Sequence, residues 1–91
     1  MKKQICWNEE KNQLLMFERN LSFEMVVEKL EKEEILGIEP HPNQKKYPNQ
    51  MIFVLHLRGY VCYVPFVETK DEIFLKTIIP SRKLNKIYKE S

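Results

Sequence analysis

Two apolar runs, Met51 to Leu57 and Tyr60 to Val67, are separated only by Arg58 and Gly59. Both runs are rich in branched and aromatic residues, which suits strands, and a two-residue connection leaves them one simple arrangement, an antiparallel hairpin. A lone hairpin is not stable in water, so the rest of the chain has to extend and cover it. Thr69-Lys70-Asp71 turns the chain again, and Ile73 to Ile79 is expected to add a third strand. Pro65 has no N–H to give a ladder, so it is expected at a sheet edge or a bulge.

The cover comes from the N-terminal half. Asn8 before Glu9 and Glu10 predicts a helix start, with carboxylates where the helix dipole favours them. Leu14, Phe17 and Leu21 keep helical spacing and are the expected buried face. Asn20-Leu21-Ser22 interrupts the pattern, and Ser22 is placed to cap a second helix. There Phe23, Val26, Val27 and Leu30 fall on one face, with Glu24, Glu28, Lys29, Glu31 and Lys32 on the other. Ile35-Leu36-Gly37-Ile38 predicts a short strand. Residues 39–50, Glu-Pro-His-Pro-Asn-Gln-Lys-Lys-Tyr-Pro-Asn-Gln, predict a loop, because three prolines exclude helix and central strand. After Pro80, Ser81 is placed to cap a last helix with Leu84, Ile87 and Tyr88 inward. The expected fold is α+β: an N-terminal helical hairpin on one face of an antiparallel sheet of about three or four strands, closed by a short C-terminal helix.

Ninety-one residues suffice for one domain, 1–91, and for little more. No apolar run approaches the roughly 20 residues of a membrane span, and Met1-Lys2-Lys3-Gln4-Ile5-Cys6-Trp7 lacks the apolar core of a signal peptide. A cytoplasmic location without membrane contact is therefore expected. Cys6 and Cys62 show no paired spacing and read as small core residues. Together with His41 and His56 they do not reach metal-ligand spacing, so no metal is expected.

Charge is unevenly distributed although the net is only +2. Residues 8–35 carry eight acidic and four basic side chains, whereas 80–91 carry Arg82, Lys83, Lys86 and Lys89 against Glu90. Lys45, Lys46 and Arg58 add a second basic region. A basic end of this kind suits a polyanion, or simply a solvated helix face. Glycine-rich phosphate loops, HExxH and GxSxG are all absent.

In Ile79-Pro80-Ser81-Arg82-Lys83-Leu84, two cations occupy the first turn of a helix, against its dipole. An anion held there by Arg82, Lys83 and free backbone N–H groups would resolve that conflict. Lys76 faces either solvent or the same site. In the 39–50 loop His41 titrates near neutrality and is a candidate general acid or base, or merely part of a rigid Pro-His-Pro turn. Tyr47 is the aromatic best placed to stack on a base, while Tyr60, Tyr63 and Phe66 read first as core, and His56 as structural. RNA cleavage by the neighbouring 2′-hydroxyl needs only a held phosphate, cations and proton transfer, with no metal and no cofactor.

Three segments carry a family resemblance. Trp7-Asn8-Glu9-Glu10-Lys11-Asn12, Ser22-Phe23-Glu24 and Phe74-Leu75-Lys76-Thr77-Ile78-Ile79-Pro80-Ser81-Arg82-Lys83 resemble, in order, patterns of the BrnT-type toxins of the RelE/ParE superfamily. These are an opening Trp-Asp-x-x-Lys-Asn, a Ser-Phe-Glu opening the second helix, and a final strand ending in Ser-Ala-Arg-Lys. The resemblance implies a shortened RelE/ParE-type fold and a ribonuclease that cuts messenger RNA. It also implies a DNA-binding antitoxin as partner and leaves ribosome dependence open. Lys76, Arg82 and Lys83 fall on matching basic positions, and Arg58 lies near the basic turn of the family's middle hairpin. The expected catalytic residues are thus Arg82, Lys76 and His41, with Lys83, Lys46, Arg58 and Tyr47 contacting RNA. Arg19 stands where the family has histidine. Two other readings stay open: a non-enzymatic inhibitor of a protein such as DNA gyrase, and an RNA-binding module without catalysis. Met51 to Leu57 is the strand expected at an exposed edge, free to receive a partner.

Overall fold

A computed structural model describes residues 3–88. The chain runs β1 (Gln4–Trp7), α1 (Glu9–Arg19), α2 (Phe23–Glu31), β2 (Gly37–Pro40), β3 (Met51–Leu57), β4 (Tyr60–Glu68), β5 (Glu72–Leu75), β6 (Ile79–Pro80) and α3 (Arg82–Tyr88). The class is α+β, as composition and pattern predict. The expected hairpin is β3–β4, in register from Leu57↔Tyr60 to Met51↔Phe66. Its tip has Arg58 at φ 52° and Gly59 at φ 80°, the left-handed pair that matches strand twist in a two-residue turn.

The sheet is larger than expected and mixed. Among the described residues it has six strands in the order β1-β5-β4-β3-β2, with β6 also on β4. Strand β1 is an addition to the expected set: it pairs parallel with β5 from Gln4↔Glu72 to Trp7↔Leu75. A four-residue strand has too little alternation to be read locally, and its partner lies more than sixty residues away. The short strand predicted at 35–38 lies two residues later, so Glu39 and Pro40 belong to β2. Pro40 is tolerated because β2 is an edge. β3, expected at an edge, is instead flanked by β2 and β4, and the edge strands are β1 and β2.

The third predicted strand is interrupted. β5 ends at Leu75, and the chain leaves β4 over 76–78 before returning as β6. This break explains Pro65: it sits in the interior strand β4, but opposite a bulge, because pairing passes from Phe66↔Leu75 to Tyr63↔Ile79 with one extra residue on the neighbouring side. Its carbonyl accepts the Lys76 N–H at 2.8 Å, so its nitrogen faces the same side, where the neighbouring strand is broken. No ladder donor is missed there.

The sheet buries both faces. On one, Leu15, Leu21, Phe23 and Val26 pack against Phe53, Leu55, Leu57, Cys62, Val64, Phe66, Leu75 and Ile78. On the other, Ile52, Val54 and Val61 are covered by Leu36, Tyr63, Leu84 and Tyr88. Helix α3 therefore lies opposite the α1–α2 hairpin, fixed by the Val61 N–H donating to Asn85 Oδ1 at 3.1 Å. Leu84 and Tyr88 face the sheet as predicted, but Ile87 is 60 % exposed.

Helix α2 buries Phe23 and Val26 as its spacing predicts, with Ser22 accepting from the Met25 N–H. Asn8 caps α1 by accepting from the Lys11 N–H at 2.9 Å. The buried face of α1 is different from the expected one: Asn12 and Leu15 are inside, Leu14 is half exposed and Phe17 is 89 % exposed. Leu21 does reach the core, but from beyond the helix, because Asn20 takes the left-handed conformation (φ 61°) and redirects the chain.

Candidate functional site

The loop from His41 to Gln50 is a closed, self-bonded unit. The His41 N–H donates to the Gln50 carbonyl at 3.0 Å, joining the end of β2 to the start of β3, and the Tyr47 N–H donates to the Asn43 carbonyl at 2.9 Å. Asn43 Oδ1 accepts the Lys46 N–H at 3.1 Å, and Gln44 Nε2 donates to the His41 carbonyl at 2.7 Å. Prolines 40, 42 and 48 further limit the backbone. The loop thus holds its side chains in place without forming a helix or strand.

Held this way, the loop forms one wall of a cleft of about 390 Å³ on the α3 side of the sheet. His41, Lys46 and Tyr47 line it from the loop; Tyr63 lines it from β4, and Lys76 and Thr77 from the interrupted segment. Four residues singled out from sequence, His41, Lys46, Tyr47 and Lys76, therefore meet in one place. The break between β5 and β6 is what brings Lys76 there. No carboxylate lines the cleft, and neither lysine has an ion-pair partner among the described residues. Each ammonium instead lies over an aromatic ring: Lys46 Nζ is 5.5 Å from the Tyr47 centroid, and Lys76 Nζ is 5.4 Å from that of Phe74. Two unneutralised cations beside half-buried aromatic rings suit a phosphodiester and its base.

His41 is 8 % exposed and packed between two tyrosines, with ring centroids 4.5 Å from Tyr47 and 6.2 Å from Tyr63. Burial pulls its pKa below the ordinary 6.5. Its Nδ1 accepts the Asn43 N–H at 2.9 Å, so the neutral ring carries its proton on Nε2. Among the described residues no fully buried side-chain nitrogen or oxygen lacks a partner, so the unbonded Nε2 keeps at least an edge at the surface. His41 is thus set up as a neutral hydrogen-bond donor. Accepting a proton would have to happen at Nδ1, the one ring nitrogen with a lone pair, which would break the bond from the Asn43 N–H and charge the ring against its burial.

The other expected site residues lie elsewhere. Lys83 lines an adjoining cleft of about 400 Å³ with Ser81, Leu84 and Glu39, and the two clefts share Tyr63. Arg82 is exposed on the first turn of α3 and lines neither cleft. Ser81 Oγ accepts the Leu84 N–H at 3.1 Å, which leaves one fewer free donor at that helix start. Glu39, which lines that second cleft, accepts from the Tyr88 hydroxyl at 2.7 Å, a bond that raises the Tyr88 pKa. Arg58 sits in a separate cleft beside Arg19.

Tyr63 reads as a core residue from sequence, yet it lines the cleft. Its position in β4, out of phase with buried Cys62, Val64 and Phe66, is the signal that it faces the other side. Gln50 and Thr77 line the cleft with no distinguishing local pattern. Among the described residues no cluster of His, Cys, Asp and Glu is arranged to hold a metal, and no helix is long and apolar enough to cross a membrane. Family models, curated proteins and solved structures yield no significant match to this chain.

Proposed function

We propose that this protein binds single-stranded RNA in the Lys46–Lys76 cleft and acts as a toxin of the BrnT type, an endoribonuclease on messenger RNA. The observation carrying this reading is the convergence of two unpaired lysines, Tyr47, Tyr63 and the His41 Nε2–H in a cleft without carboxylates. The order of elements after β1 is in keeping with this reading: two helices, a run of antiparallel strands and a last helix. A cytoplasmic location and a DNA-binding antitoxin partner belong to the same proposal.

In this reading Lys46 and Lys76 hold the scissile phosphate and neutralise the charge that develops on it. The neighbouring 2′-oxygen attacks phosphorus, the bond to the 5′-oxygen breaks, and a 2′,3′-cyclic phosphate and a free 5′-hydroxyl result. The 2′-hydroxyl proton passes to solvent water, and the departing 5′-oxygen takes a proton from the Tyr47 hydroxyl, which regains one from water. Tyr47 is the side chain placed for proton transfer, His41 donates a hydrogen bond from Nε2, and Arg82 and Lys83 contact RNA that extends along α3.

Two observations favour a second reading, an RNA-binding module without catalysis. His41 Nδ1 is occupied by the Asn43 N–H, and Arg19 replaces the family's histidine.

The test is incubation of the purified full chain with end-labelled RNA, without ribosomes, beside Lys76→Ala and Arg82→Ala. Cleavage to cyclic-phosphate ends by the wild type, lost in Lys76→Ala, supports the ribonuclease. RNA that is bound but stays intact, also when ribosomes are added, assigns the module, and RNA that is neither bound nor cut under either condition sinks both readings.

A further inference from the structure

We propose that Arg19 and Arg58 form a second phosphate-binding site for single-stranded RNA, across the 76–80 segment from the Lys46–Lys76 cleft. The identity of the ligand rests on the RNA reading above.

The two arginines line a cleft of about 220 Å³ with Leu21, Leu57, Tyr60 and Pro80. The cleft is an open groove, which leaves a phosphodiester access from solvent. No carboxylate lines it, and neither guanidinium has an ion-pair partner among the described residues. Arg19 is held in position: its Nη1 donates to the Ile78 carbonyl at 2.8 Å, leaving the remaining guanidinium donors for a ligand. Its charge also reaches the buried Cys62 at the base of the cleft.

Arg58 is the more telling residue. At φ 52° it occupies a turn position that favours Asn, Asp or Gly, so backbone preference does not account for an arginine there. A side-chain role does. Placing two like charges in one cleft without a counter-charge is a second local conflict, and a phosphate resolves both. Tyr60, 37 % exposed, offers a ring beside them.

The two basic clefts are neighbours around one short piece of chain. Lys76 and Thr77 line the first, the Ile78 carbonyl is clamped by Arg19, and Pro80 lines the second. The Cα atoms of Lys76 and Pro80 are at most about 14 Å apart even if that segment is fully extended. A strand crossing the β6 side of the sheet would meet cations before and after the crossing, a few nucleotides apart.

The experiment is fluorescence anisotropy with a labelled single-stranded RNA over a salt series, using the full chain. Variants are Arg58→Asn, which suits the left-handed turn, Arg58→Lys, Arg19→Gln, which keeps a donor for Ile78, and the double Lys46→Ala/Lys76→Ala. Each phosphate contact contributes about 0.7 to the slope of log affinity against log salt for single strands. Arg58→Asn and Arg19→Gln should each lower the slope by about 0.7, additively with the lysine pair, and Arg58→Lys should retain it. Wild-type slopes in both arginine variants, with the lysine pair losing about 1.4, would overturn the second site and leave the RNA reading standing. No RNA binding by the wild type would overturn both. Should Arg19→Gln fail to fold, as judged by circular dichroism, Arg58→Asn at the exposed tip still decides.

Discussion

Asn12 and Glu24 meet across the helical hairpin, with 2.9 Å between the Asn12 Nδ2 donor and the Glu24 carboxylate, although Asn12 is completely buried. The same carboxamide accepts the Phe23 N–H at 2.7 Å, satisfying a donor at the start of α2 from another helix. Trp7 stacks on Phe23 at 5.6 Å between ring centroids, so the two N-terminal segments that resemble the toxin patterns are one packed unit. That unit lies on the face away from the Lys46–Lys76 cleft, which gives it a structural role.

Asn12→Ala leaves the Phe23 N–H buried without a partner, which costs about 1–3 kcal/mol. Glu24→Ala takes one acceptor from the buried Asn12 amide and leaves the Phe23 cap intact, so it should cost less than Asn12→Ala, which loses both bonds. Urea unfolding of the two variants measures the difference. Equal losses would mean that the Glu24 bond, and not the Phe23 cap, holds the hairpin.

Stability should fall on mild acidification because of His41. Burial lowers its folded pKa below the unfolded value, so the unfolded chain binds the proton first. The His41 contribution is fully present above about pH 6.5 and is lost as pH falls through that value toward the folded pKa. His41→Asn keeps an acceptor near the Nδ1 position and cannot titrate. Thermal unfolding between pH 8 and about 5 should show a weaker pH dependence in this variant, and an unchanged slope would assign the titration to other groups.

The hairpin tip separates conformational strain from contact loss. Gly59 has φ 80° and open space where a Cβ would stand, so Gly59→Ala should destabilise by about 1 kcal/mol through backbone preference alone. Arg58→Asn, at a left-handed position that asparagine accepts, should leave stability within about 0.5 kcal/mol. Denaturant midpoints of both variants check this.

The two thiols should react at different rates. Burial pushes the Cys62 pKa up to about 11, with Arg19 partly opposing the shift, and the side chain is shut away from reagent. Cys6 is only half-buried. Iodoacetamide at pH 8 should label Cys6 first and Cys62 only on unfolding, as read by peptide mass spectrometry. Early labelling of Cys62 would show that β4 opens locally.

Local rules sufficed wherever a feature depends on neighbours in the chain. Asn8, Ser22 and Ser81 cap as their chemistry predicts, Arg58-Gly59 turns the hairpin, and the α2 stripe faces the core, because capping and periodicity are short-range. His41, Lys46 and Tyr47 could be picked out because their loop is too rich in proline to be anything else. Only the tertiary structure decided the rest. β1 exists because β5, far along the chain, supplies its ladder, and the inner face of α1 is set by a buried Asn12 whose partners lie in α2. Lys76 reaches the loop residues because the strand breaks beside Pro65, whose missing donor needs no partner there. Arg19 and Arg58 share a cleft, and Arg82 stands apart from Lys76, through strand pairings that no local window contains. Pairing energy between distant segments, and not propensity along the sequence, decides which cations share a cleft.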